Sequence, residues 1–211
     1  MGGIGIVDYG RGNLRSVEKG LGKAGFAAGI ITSPQEMEGI EGLILPGVGA
    51  FADAMAALQR GGWIGPLLEF AQAGKPLLGI CLGMQVLFEV GEEHGEHRGL
   101  GLLPGRVIRF PVGRKIPHMG WNTVRWEKAA PLIEGLAEES WFYFVHSYHA
   151  LSPNQEVILG TSDYGVRFPA VVGRNNVWGT QFHPEKSGSS GLKLLENFGR
   201  LVHEYAHISG H

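Results

Sequence analysis

Short apolar runs alternate with helix-length amphipathic segments in the first part of the chain, up to residue 90. This alternation is typical of βαβ units, which build a parallel sheet with helices on its faces. We predict strands at residues 4–8, 28–31, 42–45 and 76–80, and helices at 14–24, 51–60, 63–73 and 82–89. The unbroken apolar run at 76–80 indicates a central strand that is buried on both faces. Asn13 precedes the first helix and is expected to cap it.

The second part of the chain, from residue 107 onward, has shorter apolar runs that are rich in Val, Trp, Tyr and Phe. Turn signals such as Asn175-Asn176 separate these runs, which favours antiparallel strands added to the sheet. Apolar residues at spacings of three and four predict a last helix at 190–205. We find no repeat and no linker. The sequence therefore predicts one domain over residues 1–211, an α/β fold with an open, mostly parallel central sheet flanked by helices and antiparallel additions in its second half.

Composition narrows the classes of function. The 211 residues carry 18 Lys and Arg against 20 Asp and Glu, a net charge of −2, so there is no basic field for nucleic acid or an anionic membrane. Charged residues make up 18%, below the roughly 25% typical of soluble domains, so we expect a partner to cover part of the surface. A single cysteine excludes an internal disulfide and fits a reducing cytoplasm. No apolar stretch approaches the ~18 residues of a membrane span.

The cysteine lies in residues 79–83, Gly-Ile-Cys-Leu-Gly, between the buried strand and the next helix. Glycines two positions before and after a nucleophile are typical of a nucleophile elbow, a sharp strand-to-helix turn that crowds the backbone. We expect the Cys81 thiol to be held clear of the sheet at a helix N-terminus, with the Leu82 N–H directed toward a developing oxyanion. The alternative is a buried cysteine that serves as a small hydrophobic side chain.

A general base for this thiol is available in residues 183–185, His-Pro-Glu, which follow a predicted strand at 177–181. Alternate residues of an extended segment point the same way, so Glu185 is expected to orient the His183 imidazole. Both His183 and Cys81 follow strands, and open α/β sheets build their sites at the carboxyl ends of strands. Taken alone, His183 would more simply be an ordinary surface or core residue. The two motifs together favour a Cys-His-Glu triad.

Three separated motifs carry a family resemblance: Pro-Gly-Val-Gly at 46–49, Gly-Ile-Cys-Leu-Gly-Met-Gln at 79–85 and Gln-Phe-His-Pro-Glu at 181–185. In this order they resemble the class I, triad-type glutamine amidotransferases, whose fold is flavodoxin-like. Further motifs at 8–16 (Asp-Tyr-Gly-Arg-Gly-Asn-Leu-Arg-Ser), 118–122 (His-Met-Gly-Trp-Asn) and 186–187 (Lys-Ser) resemble, within that family, the glutaminase subunits of imidazole glycerol phosphate synthase. The resemblance runs from about residue 4 to about residue 202.

The resemblance implies that glutamine is hydrolysed to glutamate and ammonia through a cysteinyl thioester. Cys81 would attack the side-chain amide, and His183 would protonate the departing ammonia and later activate water. Glu185 would hold the imidazole ring. The general requirements of nucleophilic catalysis assign the same roles to these three side chains. A thiol needs a base to take its proton, and the base needs a third group to orient it.

The resemblance also assigns groups around the substrate. The oxyanion would be bound by the N–H of Leu82 and by the loop of Gly47, Val48 and Gly49. The glycines of this loop allow a peptide plane to flip, although an ordinary strand-to-helix turn is the alternative. The amino and carboxylate ends of glutamine would be held by Gln85, Glu93 and the backbone at Ser147 and Tyr148. A solvated polar loop is an equally simple interpretation of the segment around Glu93.

No site for an acceptor of the ammonia is visible in the sequence. Residues 10–15 lack the third glycine of a dinucleotide fingerprint, and no phosphate-binding P-loop pattern occurs, so we expect no cofactor. By resemblance the acceptor lies on a partner, a cyclase with a (β/α)8-barrel fold that receives ammonia through its interior and makes imidazole glycerol phosphate for histidine biosynthesis. The matched motifs imply an interface of this heterodimer at Asn13, Trp121, Tyr143 and Lys186. Ordinary surface or packing positions are the alternative, above all for Tyr143.

A zinc-protease pattern, His-Glu-x-x-His, occurs at residues 203–207, and His211 offers a third ligand. We expect these residues to form a fraying tail that cannot wall a substrate cleft, and therefore predict no functional metal. Three alternatives to a glutaminase of histidine synthesis stay open. They are an amidase of the same family with another acceptor, a binding or regulatory module with a vestigial triad and, most remotely, a metalloprotease.

Overall fold

The computed structural model describes residues 3–209. Its strands are β1 (Gly3–Val7), β2 (Ala28–Ile31), β3 (Ile40–Gly47), β4 (Leu77–Cys81), β5 (Phe88–Gly91), β6 (His97–Arg98), β7 (Leu103–Arg109), β8 (His118–Trp126), β9 (Glu139–His146), β10 (Tyr148–Leu151), β11 (Ile158–Asp163), β12 (Arg167–Arg174) and β13 (Val177–Thr180). Its α-helices are α1 (Leu14–Lys23), α2 (Phe51–Arg60), α3 (Ile64–Gln72), α4 (Leu82–Val86) and α5 (Gly188–Ser209). Short 3-10 turns lie at Pro34–Met37, Pro131–Ile133, Gln155–Val157 and Pro184–Lys186.

Nine strands form the main sheet, in the order β2-β1-β3-β4-β13-β12-β11-β8-β9. The first five of these are parallel, and β4 lies between β3 and β13 with Leu78 opposite both Ile44 and Trp178. Every residue of β4 is buried, as its unbroken apolar run predicted for a central strand. The predicted open α/β sheet with a parallel core is confirmed.

The antiparallel part of the structure is larger than the sequence indicated. Strands β12, β11, β8 and β9 continue the main sheet in antiparallel fashion. Strands β10, β7, β5 and β6 form a second sheet that the sequence pattern did not predict, with two antiparallel pairs and one parallel pair, β5 with β7. The helix expected at 82–89 is wrong in length, because α4 ends at Val86 and Phe88 starts β5 opposite Leu103. A short apolar segment has no periodicity that distinguishes a helix from a buried strand.

Helices cover the two faces of the main sheet. Leu21 of α1 and Phe198 of α5 belong to the hydrophobic cluster on one face. Phe51 of α2 and Leu67 of α3 belong to the cluster on the other face. Burial of these apolar side chains on both faces fixes the sheet between two helical layers, which is the arrangement expected of a doubly wound fold.

Helix α5 continues beyond the predicted end at residue 205 and reaches Ser209. Ala206 is still buried, and the His203 ring packs edge-on against Phe26 with 5.0 Å between ring centroids. The expected fraying tail is therefore wrong, because the helix continues to Ser209 and its apolar face stays packed as far as Ala206. His211 lies outside the described residues. Within residues 3–209, no helix combines the length and the apolarity that crossing a bilayer requires.

Four strand ends define one edge of the main sheet. β3, β4 and β13 are parallel and end there at Gly47, Cys81 and Thr180. The four antiparallel pairings from β13 to β9 make β9 run in the same direction, so its last residue, His146, reaches the same edge. We call this the carboxyl edge. Open α/β sheets bind their ligands at this position.

Candidate active site

Cys81 is the last residue of β4 and immediately precedes α4. Its backbone, at φ 56° and ψ −110°, lies in a region that residues other than glycine rarely adopt. A Cβ at Gly79 would lie 2.6 Å from the carbonyl oxygen of Gly83, and a Cβ at Gly83 would overlap the carbonyl oxygen of Leu45. Both glycines are therefore required by close backbone approach. The sharp turn expected of a nucleophile elbow is present, and the packing of β4 against β3 holds its strain.

The Cys81 side chain is less accessible than its motif suggested. Cys81 is only 5% exposed, so the expectation that the thiol stands clear of the sheet is wrong. Its sulfur is 3.9 Å from the carbonyl oxygen of Val145 on β9 and 3.9 Å from Nε2 of Gln181, which follows the neighbouring strand β13. Because these segments cover the sulfur, a substrate reaches it only when the surrounding chain moves.

His183 and Glu185 form a buried pair at the same edge. Nδ1 of His183 lies 2.8 Å from Oε1 of Glu185, and the two side chains are 4% and 1% exposed. The contact agrees with the predicted pairing, but the backbone does not, since Pro184–Lys186 form a 3-10 turn rather than an extended segment. The Lys186 N–H and the Ser187 hydroxyl both donate to the His183 carbonyl oxygen and stabilise this turn. Glu185 fixes the proton of the ring on Nδ1 and leaves Nε2 for proton exchange.

The surroundings of His183 favour its charged form. Burial alone would lower the pKa of His183, but the neighbouring Cys81 sulfur and the Glu185 carboxylate raise this pKa to about 10. Nε2 of His183 is buried and has no hydrogen-bond partner in good geometry within residues 3–209. The structure thus holds an imidazolium near the cysteine without a well-formed Cys–His hydrogen bond. This ring can donate its Nε2 proton to a group that enters the site.

The loop predicted to bind the oxyanion connects β3 to α2. Gly47 ends β3 and lies opposite Cys81 in the parallel register. A Cβ at Gly47 would lie 3.0 Å from Cβ of Leu82, so this position needs glycine for close approach. Val48 is 44% exposed, and Gly49 has a φ of 105°. The loop and the first residue of α4 therefore flank the cysteine, which is the placement that an oxyanion site requires.

A family model described as "Glutamine amidotransferase class-I" matches residues 5–201. The chain belongs to this family. Imidazole glycerol phosphate synthase subunit HisH of Desulfitobacterium hafniense (strain DSM 10664 / DCB-2) is 69% identical over 208 residues, which cover 99% of each chain. The protein of the same name from Moorella thermoacetica is 50% identical, also over 99% of each chain.

A solved structure supports the same fold. The crystal structure of a glutamine amidotransferase superposes with a TM-score of 0.76 at 22% sequence identity. The match covers 95% of this chain and 98% of the other. At this identity the likeness concerns the fold alone, and it confirms the amidotransferase fold that the three motifs predicted.

Two residues predicted to hold substrate, Gln85 and Tyr148, are in contact. Nε2 of Gln85 donates to the Tyr148 carbonyl oxygen at 3.0 Å and to Oε1 of Gln181 at 3.1 Å. Both amide hydrogens of Gln85 are therefore used. The group that Gln85 offers to a ligand is its carbonyl oxygen, an acceptor that suits an ammonium group.

The other two predicted substrate residues, Glu93 and Ser147, make different kinds of hydrogen bond, one through a side chain and one through the backbone. Oε2 of Glu93 accepts a hydrogen bond from the N–H of Phe51 at 2.8 Å, so this carboxylate caps α2 directly after the oxyanion loop. The Ser147 carbonyl oxygen accepts from the N–H of Phe110 at 3.1 Å. A solvated loop does not account for the hydrogen bond between Glu93 and Phe51. The role of Glu93 toward substrate remains a prediction.

The predicted interface residues lie on several elements, with Trp121 on β8 and Tyr143 opposite it on β9. The rings of Trp121 and Tyr143 meet edge-on with centroids 6.2 Å apart, and Lys186 is exposed in the turn that follows His183. Asn13 is exposed at the start of α1, where its carbonyl oxygen accepts from Val17. Its side chain makes no capping hydrogen bond, so the predicted cap is wrong and this amide remains available to another group.

Sequence reasoning assigned no role to two residues that contact the site. Gln181 is fully buried and connects Gln85 to the Cys81 sulfur through its amide. The buried Tyr9 hydroxyl has no hydrogen-bond partner within residues 3–209, and a Cβ at Gly47 would overlap it. Burial and the charge of Cys81 raise the pKa of Tyr9, and Arg11 lowers it in part. Both residues lie inside motifs that carry the family resemblance, and this membership is the sequence signal that could have identified them.

The zinc-protease pattern lies on α5, far along the helix from the carboxyl edge. His203 and His207 are one turn apart on this helix, as their spacing indicated. Among residues 3–209, no three His, Cys, Asp or Glu side chains form a group that could hold a metal ion.

Proposed function

We propose that this chain is the glutaminase subunit of an imidazole glycerol phosphate synthase. In this proposal it releases ammonia from glutamine through a cysteinyl thioester and passes the ammonia to a (β/α)8-barrel cyclase partner. The observation that carries the catalytic part is the strained Cys81 elbow beside the buried His183–Glu185 pair at one sheet edge. The choice of pathway is supported by the 69% identical relative, which bears that synthase name and matches over the whole length.

The chemistry begins with the Cys81 proton already on Nε2 of His183, so the sulfur is a thiolate beside an imidazolium. The sulfur then attacks the side-chain carbonyl carbon of glutamine, and the carbonyl oxygen takes the negative charge. The Leu82 N–H and a peptide N–H of the Gly47–Gly49 loop donate to this oxygen. Collapse of the intermediate breaks the carbon–nitrogen bond, and the nitrogen leaves as ammonia with the proton from His183.

The thioester is then hydrolysed by the same residues. His183 takes a proton from water, the resulting hydroxide attacks the thioester carbon, and the carbon–sulfur bond breaks to release glutamate. Glu185 stabilises the charged ring in each step, in agreement with the raised pKa of His183. Gln85 accepts from the α-ammonium group of glutamine through its carbonyl oxygen and so holds the substrate beside Cys81.

The partner binds an exposed apolar surface next to the site. Met119, Trp121 and Trp141 are 62%, 53% and 57% exposed. The register places Trp121 opposite Tyr143 and Met119 opposite Val145, so these side chains share one face of the β8–β9 ribbon. We call Met119, Trp121, Trp141 and Tyr143 the docking face. Clustered exposed aromatic residues are typical of protein interfaces, and the backbone of Val145 contacts the catalytic sulfur.

The division of labour is tested with Cys81→Ala. We expect this variant, mixed with the cyclase and its nucleotide substrate, to release no measurable glutamate from glutamine, because no other group can form the thioester. The same mixture supplied with ammonium salt should make imidazole glycerol phosphate at the wild-type rate. Loss of both activities, or glutamate release that survives the substitution, would contradict the proposal. Glutamate release that no cyclase stimulates would favour another acceptor.

The docking face is tested with Trp121→Ser and a matched control, Ile208→Ser. Ile208 is also an exposed apolar residue, 87% exposed, but it lies near the far end of α5. Removing a central interface aromatic typically costs at least about 2 kcal/mol, or about 30-fold in Kd. We expect this loss for Trp121→Ser and no change for Ile208→Ser in a titration with the cyclase. Equal effects of the two substitutions would place the interface elsewhere.

A further inference from the structure

A chain of hydrogen bonds crosses the buried side of the β8–β9 ribbon. Nδ2 of Asn122 lies 3.3 Å from Nε2 of His118, and Nδ1 of His118 lies 2.9 Å from Nε2 of His146. Nδ1 of His146 lies 2.8 Å from the Tyr148 carbonyl oxygen, which also accepts from Gln85. We call Asn122, His118, His146 and the Tyr148 carbonyl the histidine array. It connects the strand of the docking face with two predicted substrate residues.

The direction of every hydrogen bond in the histidine array is determined by its two ends. A carbonyl oxygen only accepts, so His146 carries its proton on Nδ1 and, as a neutral ring, accepts at Nε2. His118 therefore donates from Nδ1 and accepts at Nε2. Asn122 must donate to that nitrogen, and it does, because its Oδ1 accepts from the N–H of Thr123 and its Nδ2 also donates to the Asp163 carbonyl oxygen.

The surroundings of the histidine array keep both rings neutral. His118 and His146 are 3% and 6% exposed and pack against Phe110, Phe144 and Phe168. Burial lowers the pKa of His118 to about 4 and the pKa of His146 to about 3. At neutral pH each ring therefore has one proton, and only one arrangement of these protons satisfies all the contacts.

We propose that His118 and His146 are positioning residues for the glutamine pocket, and that they fix the Tyr148 carbonyl and, through it, the Gln85 amide. This inference rests on the proposed glutaminase function. If the Tyr148 carbonyl loses the His146 donor, the Gln85 amide loses part of its anchor and no longer presents its oxygen in one orientation. The charge on the ammonium end of glutamine does not change during the reaction, so Gln85 holds it equally in the ground state and the transition state, and the defect should appear in KM rather than in kcat.

A spectroscopic experiment tests the histidine array without any activity. Nitrogen-15 NMR of the full chain at neutral pH should show both His118 and His146 as neutral rings protonated at Nδ1, the less common tautomer. Assignment is made by comparison with His118→Phe and His146→Phe. A proton on Nε2 of either ring, or a charged ring, would overturn the array whatever the protein does to glutamine.

A kinetic experiment tests the positioning role in the complex with the cyclase. We expect His146→Phe to raise KM for glutamine about tenfold, the equivalent of one hydrogen bond, with kcat changed less than about twofold. His146→Asn, whose amide nitrogen replaces Nδ1, should restore KM to within about threefold of wild type. His149→Phe is the matched control, because His149 is equally buried in the same aromatic cluster, and among residues 3–209 its one hydrogen bond is to the Ala150 carbonyl.

The outcomes of the kinetic experiment separate the two proposals. Unchanged KM in His146→Phe, or an equal rise in His149→Phe, would overturn the positioning role while leaving the glutaminase intact. Failure of His146→Asn to recover would also overturn it. A wild-type complex that hydrolyses no glutamine would contradict the proposed function, and the tautomers measured by NMR would still decide whether the array exists.

Discussion

At the scale of the residue, the His183–Glu185 pair shows how burial and charge act against each other. A buried imidazole would ordinarily become neutral, yet the Glu185 carboxylate and the Cys81 sulfur retain its proton. By contrast, His118 and His146 lie at the same sheet edge without a carboxylate contact and are neutral. The difference lies in the two groups beside His183, the Cys81 sulfur and the Glu185 carboxylate at 2.8 Å, so the charge of each histidine follows from its nearest partners.

The raised pKa of His183 predicts how stability depends on pH. Its pKa is about 10 in the folded chain against 6.5 when unperturbed, so between these values the folded chain holds a proton that the unfolded chain has released. The stability contributed by the charged ring is complete below pH 6.5 and is lost as the pH rises toward 10. Urea denaturation should show the advantage of wild type over His183→Gln shrinking across this range. A constant or growing difference would contradict a raised pKa.

At the scale of the element, the strand-to-helix turn at Cys81 depends on two positions without a side chain. Gly83→Ala should destabilise the fold by at least about 3 kcal/mol, because the new Cβ meets backbone that cannot move aside. Gly22→Ala in α1 is the matched control, since a Cβ there has open space and no proline follows it. This control should stabilise by about 0.5–1 kcal/mol through helix propensity. Chemical denaturation followed by circular dichroism measures both, and equal effects would contradict the steric explanation.

Much of the fold could be predicted from the sequence because hydrophobic periodicity and turn residues are local signals. The strand at 28–31 and the end of α2 before Gly61 are confirmed to the residue. The second sheet was not predicted, because β5 and β6 are only four and two residues long and β7 pairs with β10, a distant segment. Local patterns contain no information about such pairing.

The candidate site, like the fold, has features that the sequence could predict and features that it could not. Motif spacing brought Cys81, His183 and Glu185 together, because strand ends of a parallel sheet meet at one edge. It could not give the burial of the Cys81 sulfur, which depends on Val145 and Gln181 from other strands or their ends. Nor could it give the contact between His118 and His146, which depends on the register of two antiparallel strands.

At the scale of the whole molecule, strand β9 connects the docking face to the covered nucleophile. β9 carries Trp141 and Tyr143 of the docking face, and its Val145 carbonyl lies 3.9 Å from the Cys81 sulfur. On the other side of the sulfur, the Gly47–Gly49 loop is partly exposed next to the carboxyl edge. A partner bound at the proposed docking face would contact segments that cover the nucleophile, so we expect binding and access to the sulfur to be coupled by position.

This arrangement predicts that the isolated chain hydrolyses glutamine poorly and that the cyclase carrying its nucleotide activates it. The reason is that Cys81 is 5% exposed and its hydrogen bond to His183 is not well formed, so both access and proton transfer require movement of the surrounding chain.

The accessibility of the single cysteine is measured directly by alkylation with iodoacetamide, which is followed by mass spectrometry of the intact chain. We expect slow modification of Cys81 in the isolated chain and an acceleration of at least about tenfold in the liganded complex, in parallel with glutamate release, since an open and a closed site commonly differ by about 1–3 kcal/mol. Trp121→Ser should reduce the acceleration at a fixed cyclase concentration, whereas Ile208→Ser should leave it unchanged. Rapid alkylation and full glutamine turnover by the chain alone would refute this coupling, because the site would then be open before any partner is bound.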